Sequence, residues 1–473
     1  MKTTVIAAAA LAAAFVVLPH AARAQMEGPE QKCVKTLYKD GNKLAATYAK
    51  QLSACLAGAH DGTVADLAAC VDAAPGEDVA ALVTKGDADA MKACGYAPAP
   101  FAIPLSYDDM VVEAAVAHTR GVVTELLGAT PTPAGDDAGK RCQKTALAQA
   151  QKLSAAYAKA FAKCAGKALK DGAASGDALA TCLAPDVTKA EGKLVESTTK
   201  DCSAVSPAAV LPGACGSETG AAVGDCVKER VRCRACRRAA TTAAIDSDCD
   251  LVDDGVDDGS CSFPVTVSGN AFNFSNYSRI DGAVVWVLEH PEMTTVTNAD
   301  GYFEFSGIEE GEEVTLVLEH PDFHPIQNGT IRPGPAGASR VTFQAVTWGT
   351  YGGLAFVLGI TPDELTKCQM VTTVTRVGKS IYDTGAHGDA NATVTIDPPL
   401  PKANGPIYFN SSVLPAPALS RTSDDGGTLF VQVPPGEYVW TAHKGDLIYT
   451  RIKSKCRAGL LVNASPPWGL QLH

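Results

Sequence analysis

The sequence is short of charge, of aromatic rings and of long apolar runs. Charged residues make up 19% of its 473 positions and aromatic residues 6%, and its 40 Lys and Arg are outnumbered by 52 Asp and Glu. That deficit of cations, a formal net charge of −12, argues against nucleic acid as a partner, because phosphate backbones are held by clustered Lys and Arg. After Leu18 no stretch approaches the roughly 18 apolar residues of a helical bilayer span, so no membrane span is expected in the mature chain. Catalytic signatures are missing as well. There is no Gly-x-Ser-x-Gly elbow, no His-Glu-x-x-His and no phosphate-cradling glycine loop, and no Cys stands in a nucleophile context. These absences lean the reading away from an enzyme.

What is present first is an export signal. Met1-Lys2, the apolar run Val5 to Leu18 and Ala22-Arg23-Ala24 form a basic start, an apolar stretch and a small-residue cleavage site. Cleavage is expected after Ala24, which makes residues 1–24 a signal peptide and the protein secreted or periplasmic. Sixteen cysteines, an even number, fit an oxidising compartment and imply disulfides.

Those cysteines reveal a duplication. Cys33, Cys55, Cys70 and Cys94 recur as Cys142, Cys164, Cys182 and Cys202, and Lys43-Leu-Ala-Ala-Thr-Tyr-Ala-Lys50 recurs as Lys152-Leu-Ser-Ala-Ala-Tyr-Ala-Lys159. Apolar residues at helical spacing (Val34, Leu37, Leu44, Ala45, Tyr48, Leu52) make each copy a disulfide-stapled helical unit, over residues 25–130 and 131–245. Four cysteines allow three pairings. The expectation is that the inner pair of each unit (Cys55 with Cys70, Cys164 with Cys182) closes a short loop and the outer pair joins the ends. Cys233-Arg-Ala-Cys236 lacks the following His of a haem-attachment motif, and ordinary disulfides are expected there.

An acidic segment, residues 246–262, follows. Asp246, Asp248, Asp250, Asp253 and Asp257 sit at alternating and then spaced positions, a pattern that converges carboxylates on one point and suits calcium. The segment resembles the thrombospondin type 3 calcium repeats, which implies a calcium-bearing hinge with those five residues as ligands.

Beyond Cys261 the composition turns to Val, Thr, Phe and Tyr in short runs bounded by Gly, Asn and Asp. One phrase organises this half: Asp300-Gly301, an aromatic strand Tyr302 to Phe305, then Gly311, which returns as Asp425-Gly426, Thr428 to Val433 and Gly436 with the same ten-residue spacing. With Gly282-Ala-Val-Val-Trp-Val-Leu288 ahead of it, the first copy resembles the carboxypeptidase regulatory-like family, a transthyretin-like β-sandwich. The resemblance covers 263–347, with a weaker copy over 368–463 closed by Cys368 and Cys456; a linker is expected over 348–367 and the second sandwich over 368–473. The fold class expected is therefore multidomain, α then β: a duplicated disulfide-rich helical region followed by two transthyretin-like, Greek-key β-sandwiches. The family implies accessory, surface and carbohydrate-binding-like roles, not peptidase activity.

Two kinds of site are candidates in that half. Trp286, Tyr302, Tyr408, Trp440 and Trp468 are aromatic residues that could stack on a sugar, so the ligand expected is a glycan, a cell-envelope polymer or a protein. Alternatively, the phrase Leu-Glu-His-Pro at His290 and again at His320, with His324 nearby, could bring three imidazoles to one rim and bind copper, iron or zinc, giving a secreted metal-dependent enzyme such as an oxidoreductase. The bland reading of Glu-His-Pro is a turn that ends a strand.

Overall fold

A computed structural model describes residues 28–94, 108–172, 177–243, 245, 249–256, 258–376, 379–381, 387–445, 447 and 449–472. Residues 1–24, expected to be a signal peptide, lie outside them. No described helix is long and apolar enough to cross a membrane.

The N-terminal half is helical and repeats itself. Helix α1 (Gly28–Asp61) is followed by α2 (Leu67–Asp72), α3 (Glu77–Cys94) and α4 (Ala114–Leu127), then by a second 34-residue helix, α5 (Asp137–Lys170), and by α6 (Thr188–Cys202) and α7 (Val223–Ala243). α1 and α5 are equal in length because each carries the same apolar stripe: Leu44, Tyr48 and Leu52 in one, Leu153, Tyr157 and Phe161 in the other, all buried. Asp136 caps α5 by accepting from Gly139 N at 2.7 Å, and Lys167 and Lys170 in its last turn oppose the helix dipole. The two copies do not stand apart. Their apolar faces, from Val34 to Cys261, merge into a single core in which α1 packs on α5 and α4 on α7.

Disulfides close this thin, alanine-rich core. Cys55–Cys70, Cys164–Cys182 and the outer pair Cys142–Cys202 form as expected. Cys33 is also disulfide-bonded, while the Cys94 side chain falls outside the described atoms. Cys215 pairs with Cys226. Cys233 and Cys236 take separate partners, Cys261 and Cys249, so the C-x-x-C motif is neither a dithiol nor a thiolate metal site. These two bridges bind the acidic segment to α7, and Ile245, Cys249 and Cys261 are buried in the helical core. The segment expected as a hinge is thus fastened at both ends.

The C-terminal half is mixed β-sheet. Its strands are β1 (Pro264–Asn273), β2 (Val284–Val287), β3 (Thr294–Val296), β4 (Tyr302–Glu309), β5 (Leu316–Glu319), β6 (Ile326–Asn328) and β7 (Phe343–Ala345), then helix α8 (Trp348–Leu358). After it come β8 (Cys368–Thr375), β9 (Thr393–Asp397), β10 (Ile407–Phe409), β11 (Pro415–Ala416), β12 (Gly427–Val433), β13 (Gly436–His443), β14 (Ile452–Cys456), β15 (Leu461–Asn463) and β16 (Leu470–Gln471). Two three-stranded sheets, β4-β1-β7 and β14-β13-β9, flank one long sheet ordered β11-β10-β12-β8-β15-β6-β5-β2-β3, with β16 beside β8. β15 runs parallel to both β6 and β8, so a single sheet passes through both β regions. Two cores nevertheless form, one around Phe303, Phe305 and Phe343 and one around Met370, Phe430 and Trp440, the second closed by Cys368–Cys456.

The repeated Asp-Gly phrase has a steric cause. Gly301 and Gly426 both have positive φ, and a Cβ on either would lie inside contact distance of a neighbouring strand carbonyl, Ala271 O or Val374 O. Only glycine turns that tightly against the sheet.

Polar contacts fasten the halves. His118 on α4, buried, lies 2.8 Å from the buried carboxylate of Glu310, which also accepts from Thr241 Oγ1, and Arg234 stacks on Phe263 at 3.8 Å. Between the β regions, Glu313 accepts from Lys453 at 2.9 Å and from Arg332 at 3.1 Å, and Lys455 bridges Glu289 and Glu313.

Candidate functional site

The acidic loop uses its carboxylates locally. Asp246, Asp248 and Asp257 lie outside the described residues. Asp250 accepts from the amides of Asp258, Gly259 and Cys261 at 2.6–2.7 Å and from Ser260 Oγ at 3.2 Å. Burial pushes its pKa up, but those donors outweigh burial and hold it below the usual carboxylate range. Asp253 differs. Its Oδ2 meets Ser260 Oγ at 3.1 Å, its Oδ1 is buried with no side-chain partner among the described residues, and burial raises its pKa to about 6. Among the described residues, the grouping of possible metal ligands within 4.8 Å is Cys233, Asp253 and Cys261, whose two sulfurs are bonded to each other.

The three histidines do not converge. β2 and β5 do lie side by side, but antiparallel, with Val287 opposite Leu316 and Val284 opposite Glu319. The Glu-His-Pro turns that follow them therefore point to opposite ends of the pair, which corrects the expectation of one rim. Each ring has its own carboxylate. His290 bonds Glu312, whose hydrogen bond raises the imidazole pKa, and lies 3.3 Å from Glu292. His320 accepts from the amide of Asp322 at 3.2 Å. His324 is buried, stacks on Tyr351 at 3.9 Å and reaches Glu364 at 3.2 Å. Tyr351 also donates to Glu364, at 2.6 Å. This His324, Tyr351, Glu364 clamp was not readable in the sequence, since its members are separated by 27 and 13 residues with no pattern between them.

The aromatic candidates divide by burial. Trp440 is 0% exposed and Tyr408 2%, and both satisfy their polar atoms inside the fold, Trp440 Nε1 donating to Ser454 Oγ at 3.0 Å and Tyr408 Oη accepting from Val394 N at 3.1 Å. These two are core residues, a correction to their assignment as contacts: no ring face is left for a ligand. Trp286 is half-buried beneath the Arg457 guanidinium, 5.3 Å from its ring. Tyr302 is exposed and donates to Glu304 on the next turn of the pleat.

Trp468 is the candidate that opens on a cleft. It is 39% exposed at the lip of a cavity of about 300 Å³ whose walls come from all three regions: Glu113 after α3, Arg332 and Gly337 of the first β region, Ile452 and Trp468 of the second. Small residues line it, including Gly329, Gly334, Ala336 and Gly469. Arg340 lies over the indole at 5.2 Å and donates to Ser380 at 3.4 Å, from a backbone held at φ +62°. A non-glycine residue in that region is uncommon and is tolerated where surrounding structure fixes it.

No family model and no curated protein matches the chain. Among solved structures it is similar to the Bacillus anthracis TIE protein (11% identity, 42% of this chain and 33% of that one, TM-score 0.15). It is also similar to a streptococcal ancillary pilin (8%, 45% and 64%, 0.14) and to the shaft pilin SpaA of Lactobacillus rhamnosus GG (8%, 45% and 97%, 0.14). The chain thus spans less than two thirds of the length of the first two. Scores this low carry no argument about its fold or its role.

Proposed function

We propose that this is an exported, disulfide-stapled binding protein whose β half recognises a glycan, a cell-envelope polymer or another protein. In this reading the helical duplication is a docking module, and each β core is a sandwich of the carboxypeptidase regulatory-like, transthyretin-like kind. The observation that supports it is Trp468, an exposed indole at the mouth of a small-residue cleft with a guanidinium at hand. Aromatic faces stack on the apolar faces of sugars, and exposed aromatic surface beside polar groups marks interaction sites.

Trp468 fluorescence tests it. Titration with soluble oligosaccharides of envelope type should quench or shift the emission saturably, and Trp468→Ala should remove the response with unfolding stability unchanged within about 0.5 kcal/mol. A full response in W468A would contradict the assignment.

The rival, a metal-dependent enzyme on His290, His320 and His324, requires these rings to leave separate carboxylates. Elemental analysis of the mature protein decides it: one equivalent of copper, iron or zinc, lost in a His290→Ala/His320→Ala variant, would favour the enzyme. Calcium is proposed at the acidic loop, supported by the buried Asp253 Oδ1, which has no hydrogen-bond partner among the described residues.

A further inference from the structure

Residues of β8 alternate between two faces of the long sheet. Met370 and Val374 enter the second core, while Val371 faces the other way and packs with Leu358 and Ile360 under α8. Between that face and α8 lies a cavity of about 150 Å³ that opens to solvent. Its walls are hydrocarbon, from Val371, Leu429 and Val431 on the sheet and Leu354, Ala355 and Leu358 on the helix. Polar groups also line it: Gln344, Gln369, Thr373, Asn463 and Ser465, together with His387, whose Nδ1 is buried with no partner among the described residues, and Asp425, whose pKa burial raises. Among the described residues, no Lys or Arg lines the groove.

The roof is a poor helix by composition. α8 is uncharged and carries Gly349, Gly352 and Gly353, and a Cβ at Gly352 or Gly353 would meet nothing within 4 Å, so packing does not require glycine there. Its first turn is secured. Thr347 caps it, Tyr351 is held by Glu364 and His324, and Trp348 Nε1 donates to Pro321 O. Its second half presents apolar side chains to solvent, with Phe356 86% exposed and Val357 also exposed. Low intrinsic propensity and few buried contacts are the properties of a segment that opens locally.

We propose that this groove binds a single-chain amphiphile, a hydrocarbon tail with one uncharged hydrogen-bonding head, and that α8 is the lid it enters beneath. The volume matches that of a cavity that holds benzene. It therefore suits an alkyl or aryl tail. An anionic head would meet Asp425 with no cation to offset it, whereas a hydroxyl can pair with His387 Nδ1. The groove shares no lining residue with the Trp468 cleft, so the two assignments stand or fall separately.

Calorimetry of the full mature chain with 1-octanol and with octanoate at pH 7.5 tests it. Octanol should bind one to one with a negative heat-capacity change, and octanoate at least tenfold more weakly. Val371→Phe, which fills the groove, should weaken octanol at least tenfold. Leu354→Trp fills it from the lid side and serves if V371F does not fold. W468A should bind octanol as the wild type does. Absence of saturable octanol binding, octanoate binding as tightly, or indifference to both filling variants would overturn the proposal. So would a dimer, seen by sedimentation, that dissociates in Phe356→Ser, because it would assign this face to a second copy.

Discussion

At the residue scale, the same side-chain type does opposite work according to where its polar atom finds a partner. Trp440 and Trp468 read alike in the sequence, each an indole near a Pro or Gly, yet one is sealed with Nε1 on Ser454 and the other is exposed on a cleft. Trp440→Ala should cost about 3–5 kcal/mol by the cavity it leaves, measured by urea unfolding. Asp253 separates ionisation from burial in the same way. Its folded pKa of about 6 lies above the ordinary carboxylate value, so between pH 4 and 6 the folded chain holds a proton that the unfolded chain releases. Stability then falls as pH rises through that window. In chelator, Asp253→Asn should gain about 1–3 kcal/mol at pH 7.5 and almost nothing at pH 4, by urea unfolding at both values. If calcium occupies the loop, adding it should stabilise the wild type and leave D253N unmoved.

At the scale of elements, patterns that repeat were legible and pairings at a distance were not. The two 34-residue helices, their inner disulfides and the Asp-Gly turns all follow from local words in the sequence. The histidine rim failed because strand direction is invisible there: two Glu-His-Pro endings look equivalent until the antiparallel register sends them apart. β14 is not legible in the sequence because Ile452-Lys-Ser-Lys-Cys456 alternates Lys with buried positions, and those Lys serve Glu437 on β13 and Glu289 and Glu313 in the connections after β2 and β4. For α8, Gly352→Ala and Gly353→Ala should each raise helix stability by about 1 kcal/mol, read as slower amide exchange in its second half.

At the scale of the whole molecule, buried charge and one shared sheet join what the sequence suggested as separate units. Burial pushes the Glu313 pKa up, but Lys453 and Lys455 outweigh it and bring it to about 2. The unfolded chain binds that proton first, so this contribution is complete above the ordinary glutamate value and is lost as pH falls from about 4.5 toward 2. Glu313→Gln should cost about 1–2 kcal/mol at pH 7, after allowance for solvent screening, and much less at pH 2.5. His118→Ala would leave the buried Glu310 carboxylate, at the junction of the helical and β halves, with Thr241 as its remaining side-chain donor, at about 1–3 kcal/mol, detected by thermal unfolding. The joined halves shape the cleft at Trp468, and the claim that this cleft is where the protein recognises its ligand has one decisive measurement. Purified wild type, W468A and H290A/H320A are co-sedimented with insoluble envelope polymer. The account predicts that wild type and the double histidine variant are retained and W468A is not; retention of W468A together with loss of the histidine variant would contradict it.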